Sequence, residues 1–364
     1  MNILLGKIGQ KVIFNRSSKD CDRSNTNGNV GTYLLFKLLI ENNEDDVFYF
    51  ASDNDLSTFD VSPYKNLVDV SKYSWEHVNE LNIDVMFVLT GLMEYEKGNR
   101  FLDIINNSSA KLILLSDDPR CLDSVSDDYR ITKYPSLIIS QFSGIYKFKE
   151  FYYNVNYVPI ERASCYKCKI HKSKKDIDMI VISNTSGKEY NRAKIISNII
   201  DDTSGINIYG RLSDEERKLL GEDNCKGEIK YADMQNILRK SSSTFMVPIK
   251  EGWVTSKYVE SLMNWVLPIF HEDYNTKLLK VKSKGLKELI VVSNKEELAN
   301  VLENLVKKNK RKVNRLIRNY IKVLIKPYVD GKILSDTLIS YAMIALMNEG
   351  GFENEYCRKY LNKS

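Results

Sequence analysis

The chain has 364 residues, 43% of them hydrophobic and 28% charged, with a formal net charge of +5. That composition is globular and long enough for two domains with real cores, and no apolar run is long enough to cross a bilayer. Six scattered cysteines argue against a disulfide framework. The opening MNILLGKIGQKVIF lacks the basic region, long apolar core and cleavage site of a signal peptide, so it reads as a first strand, and a cytoplasmic location is expected.

Asn2–Leu5 and Val12–Phe14 are short apolar segments, with Gly6 and Gly9 near the first. The polar stretch Asn15–Asn29 is a loop, Gly31–Ile40 an amphipathic helix and Val47–Ala51 a strand. Asp84–Leu89 is almost wholly apolar, as a central strand should be. It is followed by a turn at Thr90-Gly91, a helix over Phe101–Ile105 and a strand over Lys111–Leu115. That strand runs straight into Ser116-Asp117-Asp118-Pro119-Arg120. Two carboxylates and an arginine at a strand's carboxyl end occupy the place where open parallel sheets do chemistry; Ser or Asp before Pro is equally an ordinary helix cap. Ser136–Ser140 is a further strand.

The segment Lys147–Lys175 is basic and begins among aromatics, Tyr146, Phe148, Phe151, Tyr152 and Tyr153. With Lys307–Lys326 it suggests a polyanion such as nucleic acid, although a lysine-rich run is also what a solvated helix face looks like. Cys165, Cys168 and His171 have the spacing of a partial zinc site and stand in what reads otherwise as a polar link. The boundaries expected are a first domain 1–163, a linker 164–176, a second domain 177–330, and C-terminal helices 331–364 crossing back onto the first.

Asp178–Ile182 opens the second half. A loop follows, then a helix over Asn191–Ile200 whose first turns carry Arg192 and Lys194, placed to meet a diphosphate. Ile206–Tyr209 is a strand ending at Gly210, and Gly227-Glu228-Ile229 turns toward a helix over Tyr231–Arg239. Phe245–Phe270 is the most informative stretch. A strand over Phe245–Ile249, a break at Gly252, a helix capped by Thr255 or Ser256, and a strand over Val266–Phe270 form a βαβ unit. Lys257 and Glu260 share a face of its helix, either as an exposed ion pair or as a cation for phosphates beside a carboxylate for ribose hydroxyls. Leu289–Val292 is one more strand, Lys295–Lys326 is mostly helix, and Ser335–Met347 is an apolar helix. The fold class expected is α/β, two doubly wound Rossmann-like domains facing a central cleft.

In chain order, Asn2–Gly9, Thr32–Lys37, Ser116–Arg120, Ile139–Gln141, Tyr157–Glu161, Asp178–Lys194, Ile208–Gly210, Gly227–Ile229, and Val259-Glu260 before Pro268 resemble the DNA β-glucosyltransferases of the T-even bacteriophages, a GT-B family. The resemblance implies transfer of a sugar, glucose first, from a UDP-sugar to the hydroxymethyl group of a modified pyrimidine in double-stranded DNA. It implies inversion at the anomeric carbon and a flipped-out base. Asp117 or Asp118 becomes the general base. Arg192, with Lys188 and Lys194 near it, meets the diphosphate; Glu260 holds the ribose, with Ser256 and Lys257 beside it; the backbone around Gly227 and Ile229 meets the uracil, and Gly210 belongs to the same donor site. Arg120, Lys147 and Lys149 contact the duplex, and Phe142 or Tyr146 supports the opened base pair. A divalent cation, Mg or Mn, would offset the diphosphate's charge, but no ligand cluster demands one. A monomer is expected, with no membrane partner.

The sequence departs from that family at Gly31, where an acidic residue is expected, at Lys188 in place of an arginine, and in a longer Asp20–Asn29 loop. The sugar and the choice between hydroxymethylcytosine and hydroxymethyluracil are therefore left open. Rival readings are a GT-B enzyme with a non-DNA acceptor, a catalytically inactive DNA-binding relative, and a zinc-dependent nucleic-acid protein.

Overall fold

The structure is a computed structural model that describes residues 1–8, 36, 39–52, 64–90, 100–116, 133, 136–140, 152–154, 172–183, 191–200, 206–229, 231–248, 251–252, 254–255, 257–274, 276, 279, 286, 288–326 and 332–347. Two compact units divide the chain.

The first unit holds a seven-stranded parallel sheet. Its strands are β1 (Asn2–Ile8), β2 (Val47–Ser52), β3 (Leu67–Asp69), β4 (Val85–Thr90), β5 (Lys111–Ser116), β6 (Leu137–Ser140) and β7 (Tyr152–Asn154), in the order β3-β2-β1-β4-β5-β6-β7. The direction of winding reverses between β1 and β4, which is the doubly wound arrangement. Val85–Val88 of β4 is wholly buried, because a central parallel strand is covered on both faces and so reads as a continuous apolar run. Gly6 in β1 lies under the ring of Phe101: a Cβ built on it would come 1.9 Å from Cζ. Phe101 belongs to helix α2 (Arg100–Asn107), and α1 (Trp75–Glu80) starts at Ser74, whose hydroxyl accepts from the His77 amide. The C-terminal helix Lys332–Met347 packs against β4 and β5 of this unit, and Asn43 Nδ2 donates to Ser335 Oγ.

The second unit is a six-stranded parallel sheet of β8 (Ile177–Ile182), β9 (Asn207–Tyr209), β10 (Cys225–Gly227), β11 (Ser241–Met246), β12 (Leu267–His271) and β13 (Val291–Val292), in the order β10-β9-β8-β11-β12-β13. Winding reverses between β8 and β11. Its helices are α3 (Arg192–Ile199), α4 (Asp214–Leu220), α5 (Tyr231–Lys240), α6 (Lys257–Met263), α7 (Lys295–Asn300) and α8 (Lys310–Tyr320). The last two run on into π-helical turns, Val301–Lys307 and Ile321–Ile325.

Strand β11 begins four residues before its apolar run. Ser241 and Ser243 are fully buried there, and their hydroxyls donate to the carbonyls of Ile237 and Asp178, both at 2.7 Å. Satisfied in this way, a serine costs a central strand little, and hydropathy alone places the start too late. Residues 172–176 are tied to the second unit. Ser173 Oγ donates to the Arg239 carbonyl, and Lys175 Nζ donates to the carbonyls of Arg239 and Asn264, each at 2.9 Å. These carbonyls close α5 and follow α6, so one ammonium caps two helix ends. Among the described residues no helix is long and apolar enough to cross a membrane.

Candidate functional site

The carboxyl edge of the second sheet gathers most of the described residues that the sequence marks for a donor. β8 is followed by Ser183, which is buried and whose amide donates to the Tyr209 carbonyl at 2.9 Å. The Ser183 hydroxyl accepts from Arg192 Nη1 at 3.1 Å. Arg192 opens α3, and Asn191 caps that helix by accepting from the Lys194 amide at 2.9 Å. Thus a short capped helix sets a guanidinium at the mouth of the central strand. Lys194, one turn in, is exposed.

β9 and β10 end side by side, where the Gly210 amide donates to the Gly227 carbonyl at 3.0 Å. Gly227 has φ +81°, a left-handed conformation that glycine adopts without strain. Ile229 follows and, like Ile182 and Tyr209, packs against the buried cluster of Ile180, Met234, Leu238 and Val266. Arg211 and Glu228 form an exposed pair at 2.8 Å just outside.

At the reversal of winding, a pocket is lined by Ile182 of β8, Thr244 and Met246 of β11, and Lys257, Glu260 and Ser261 of α6. Crevices at this point of a doubly wound sheet are the usual ligand sites. Glu260 is 2% exposed, and its Oε1 meets no hydrogen-bond donor among the described residues. A buried carboxylate oxygen without a donor is costly. Of the two sequence readings of Lys257 and Glu260, the exposed pair is therefore excluded, because the carboxylate is inside.

Tyr274 and His271 were not singled out by sequence. The Tyr274 hydroxyl accepts from the Thr255 amide at 2.7 Å and donates to the Thr255 carbonyl at 2.6 Å, and the Gly252 amide donates to the Asp273 carbonyl at 2.7 Å. The turn after β12 thereby clamps the loop that leads into α6. Burial drives the Tyr274 phenol far above its ordinary pKa, so it stays neutral and keeps its donor. His271 is 5% exposed at the end of β12, where the Asp273 amide donates to its Nδ1 at 3.2 Å. Burial lowers its pKa against the pull of Asp273 and Glu272. Thr255 was a candidate cap for α6; its Oγ1 lies 3.4 Å from the Tyr274 hydroxyl.

Asp117, Asp118, Arg120, Phe142, Tyr146, Lys147, Lys149, Lys188 and Ser256 lie outside the described residues, as do Cys165, Cys168 and His171. The described residues contain no group of three potential metal ligands.

No family model and no curated protein matches the chain. Solved structures do. Trehalose-6-phosphate synthase OtsA aligns with a TM-score of 0.55 at 9% identity, over 94% of this chain and 99% of that one. An alpha-glucosyltransferase in complex with UDP and a 13-mer DNA containing a central A:G mismatch aligns with a TM-score of 0.55 at 11% identity, over 92% and 99%. Alr3699/HepE of Anabaena in complex with UDP and glucose aligns with a TM-score of 0.51 at 10% identity, over 93% and 100%. At such identities the likeness establishes the fold, which is that of the GT-B glycosyltransferases.

Proposed function

We propose that the protein is a UDP-sugar-dependent glycosyltransferase whose donor nucleotide lies along the carboxyl edge of the second sheet. The observation that carries this reading is the buried, undonated Oε1 of Glu260 at the reversal of winding. Ribose hydroxyls would supply the donors such an oxygen lacks, and the other candidates stand at the ends of strands along the same edge of the sheet. Arg192 offsets charge on the diphosphate as it leaves, with Lys257 at the pocket's rim. The amide and carbonyl edge beyond Gly227 borders the uracil, with Ile229 against its face.

The acceptor we propose is the hydroxymethyl group of a modified pyrimidine in duplex DNA, and the sugar is glucose. Support comes from the sequence resemblance and from a neighbour of the same fold bound to UDP and DNA. Asp117 or Asp118, directly after β5, takes the proton of the attacking hydroxyl. A base within the duplex must be flipped to reach it. A single displacement of this kind inverts the anomeric centre. A non-DNA acceptor is the second reading, favoured by the equal fit to trehalose-6-phosphate synthase.

The test is transfer from UDP-glucose to duplexes carrying hydroxymethylcytosine, hydroxymethyluracil or neither, read by mass spectrometry of the nucleosides. A hexose on a hydroxymethylated base alone is the expected result, with a β linkage by NMR. An α linkage would overturn inversion and leave the donor assignment intact. UDP-glucose turnover with small sugars and none with DNA would select the second reading. Absence of UDP binding would overturn the donor site.

A further inference from the structure

We propose that α8 is a docking surface for the phosphate backbone of duplex DNA, carried by the unit that holds the donor pocket rather than by the unit expected to meet the acceptor. From Lys307 to Lys326 the chain has nine lysines and arginines and no acid. The apolar residues Val313, Leu316, Ile317, Tyr320, Ile321, Leu324 and Ile325 are all buried in the unit's own core, so one side of the helix is spent on folding. Arg311, Arg315, Arg318 and Lys322 are exposed and follow one another at intervals of four, three and four residues, which sets them along a single face. They span about 16 Å of helix at 1.5 Å per residue.

Two neighbouring cations, Lys307 and Lys312, are already engaged. Lys307 pairs with Glu303 and with Asp178 (3.8 Å), and Lys312 approaches Glu288 at 4.0 Å. No carboxylate among the described residues comes within that distance of the four stripe cations. A row of like charges without counter-charges repels itself, and folding supplies no reason for it, since the same helix would pack equally well with glutamines there. A polyanion does supply one. Arginine forks suit phosphate oxygens, and a row of cations along α8 and the π-helical turn that continues it suits a backbone with one charge per about 1.7 Å of duplex. A membrane surface is disfavoured, because an interfacial helix turns an apolar face outward and this one presents none. The contacts fix position without reading bases, so the surface serves any duplex.

The inference rests on the DNA acceptor proposed above, and its test separates the two. The full chain is titrated with unmodified duplex by fluorescence anisotropy across a range of salt. The wild type is compared with Arg311→Gln/Arg315→Gln/Arg318→Gln/Lys322→Gln, and with a control of equal charge change, Lys218→Gln/Lys226→Gln/Lys240→Gln/Lys295→Gln. Loss of four phosphate contacts should flatten the slope of log K against log salt by about 3 to 4, and weaken binding at least tenfold near physiological salt. The control should differ little, and both variants should keep the UDP affinity of the wild type, which also shows that they fold. Equal binding and slope in the stripe variant overturn the surface. If that variant also transfers sugar to hydroxymethylated duplex as the wild type does, the acceptor reading stands without it. Failure of the wild type to bind any duplex overturns the surface; transfer to a free hydroxymethyl nucleoside would then preserve the chemistry alone. Stripe-dependent binding to phosphatidylserine vesicles in preference to duplex also overturns it.

Discussion

Replacing Glu260 by glutamine keeps the side chain's shape and removes the carboxylate, so donor binding and folding stability should move in different directions. In the free protein Oε1 is buried and meets no donor among the described residues. Isolated buried charge opposes folding, and the amide should hold or slightly raise stability to urea. With UDP bound, the carboxylate gains ribose hydroxyls, and a hydrogen bond to a charged group contributes about 1.5 to 3 kcal/mol. Its loss weakens UDP by roughly 10- to 150-fold. Calorimetric titration of UDP and of 2′-deoxy-UDP completes a cycle. The wild type should lose a similar factor on removal of the 2′-hydroxyl, and Glu260→Gln should lose clearly less, because its amide oxygen accepts only as a neutral group. A purely structural carboxylate would behave otherwise: the variant would unfold more easily, and UDP and its deoxy analogue would bind wild type and variant in the same ratio. That outcome would refute the ribose assignment.

Arg192→Ala should lower kcat by roughly 10² to 10³, the usual effect of losing one group that stabilises developing charge, with Arg192→Lys recovering part of it; loss of the Ser183 contact should cost about 1 kcal/mol of stability. Gly6→Ala drives a methyl into the Phe101 ring and should cost about 1 to 3 kcal/mol or more by overpacking, read as a lower denaturant midpoint and partly reversed by adding Phe101→Leu. Burial pushes the Lys175 ammonium from its ordinary 10.5 down to about 8. Between those values the unfolded chain binds more protons than the folded one, so stability to urea should rise as pH increases from about 8 toward 10.5. The neutral amine keeps two N–H donors for Arg239 and Asn264; Lys175→Met should abolish the rise and cost about 1 to 3 kcal/mol by stranding two carbonyls.

Both sheets were legible where burial on two faces writes an unbroken apolar run. Val85–Val88 and Met179–Val181 are wholly buried and were placed to within a residue. Short edge strands were not legible: β3 and β10 have three residues each, and such lengths carry no period. Helix α4 was missed although Ser213 and Glu216 form a complete capping box. The signal was present in Ser-x-x-Glu, but DEERKLL has too little apolar surface to announce itself by periodicity.

The candidate site divides along the same physical line. Arg192, Gly210, Gly227, Lys257 and Glu260 sit next to strand ends, and a strand end is a landmark that sequence marks twice, by the apolar run before it and by the glycine or cap after it. Their convergence then follows from topology, because parallel strands of one sheet all end on one edge. What sequence could not show is which of them are inside. Lys257 and Glu260 have the spacing of a surface pair, and only the packing of α6 over β11 turns the carboxylate into the pocket. The Tyr274 clamp on Thr255 spans 19 residues and joins two turns with no shared pattern, so no local rule reaches it. The α8 stripe lies between these cases. Its charge was visible in the sequence, but which of its cations are paired was not: Lys307 and Lys312 meet nearby acids, whereas Arg311, Arg315, Arg318 and Lys322 are exposed in a row with no carboxylate of the described residues within 4.0 Å.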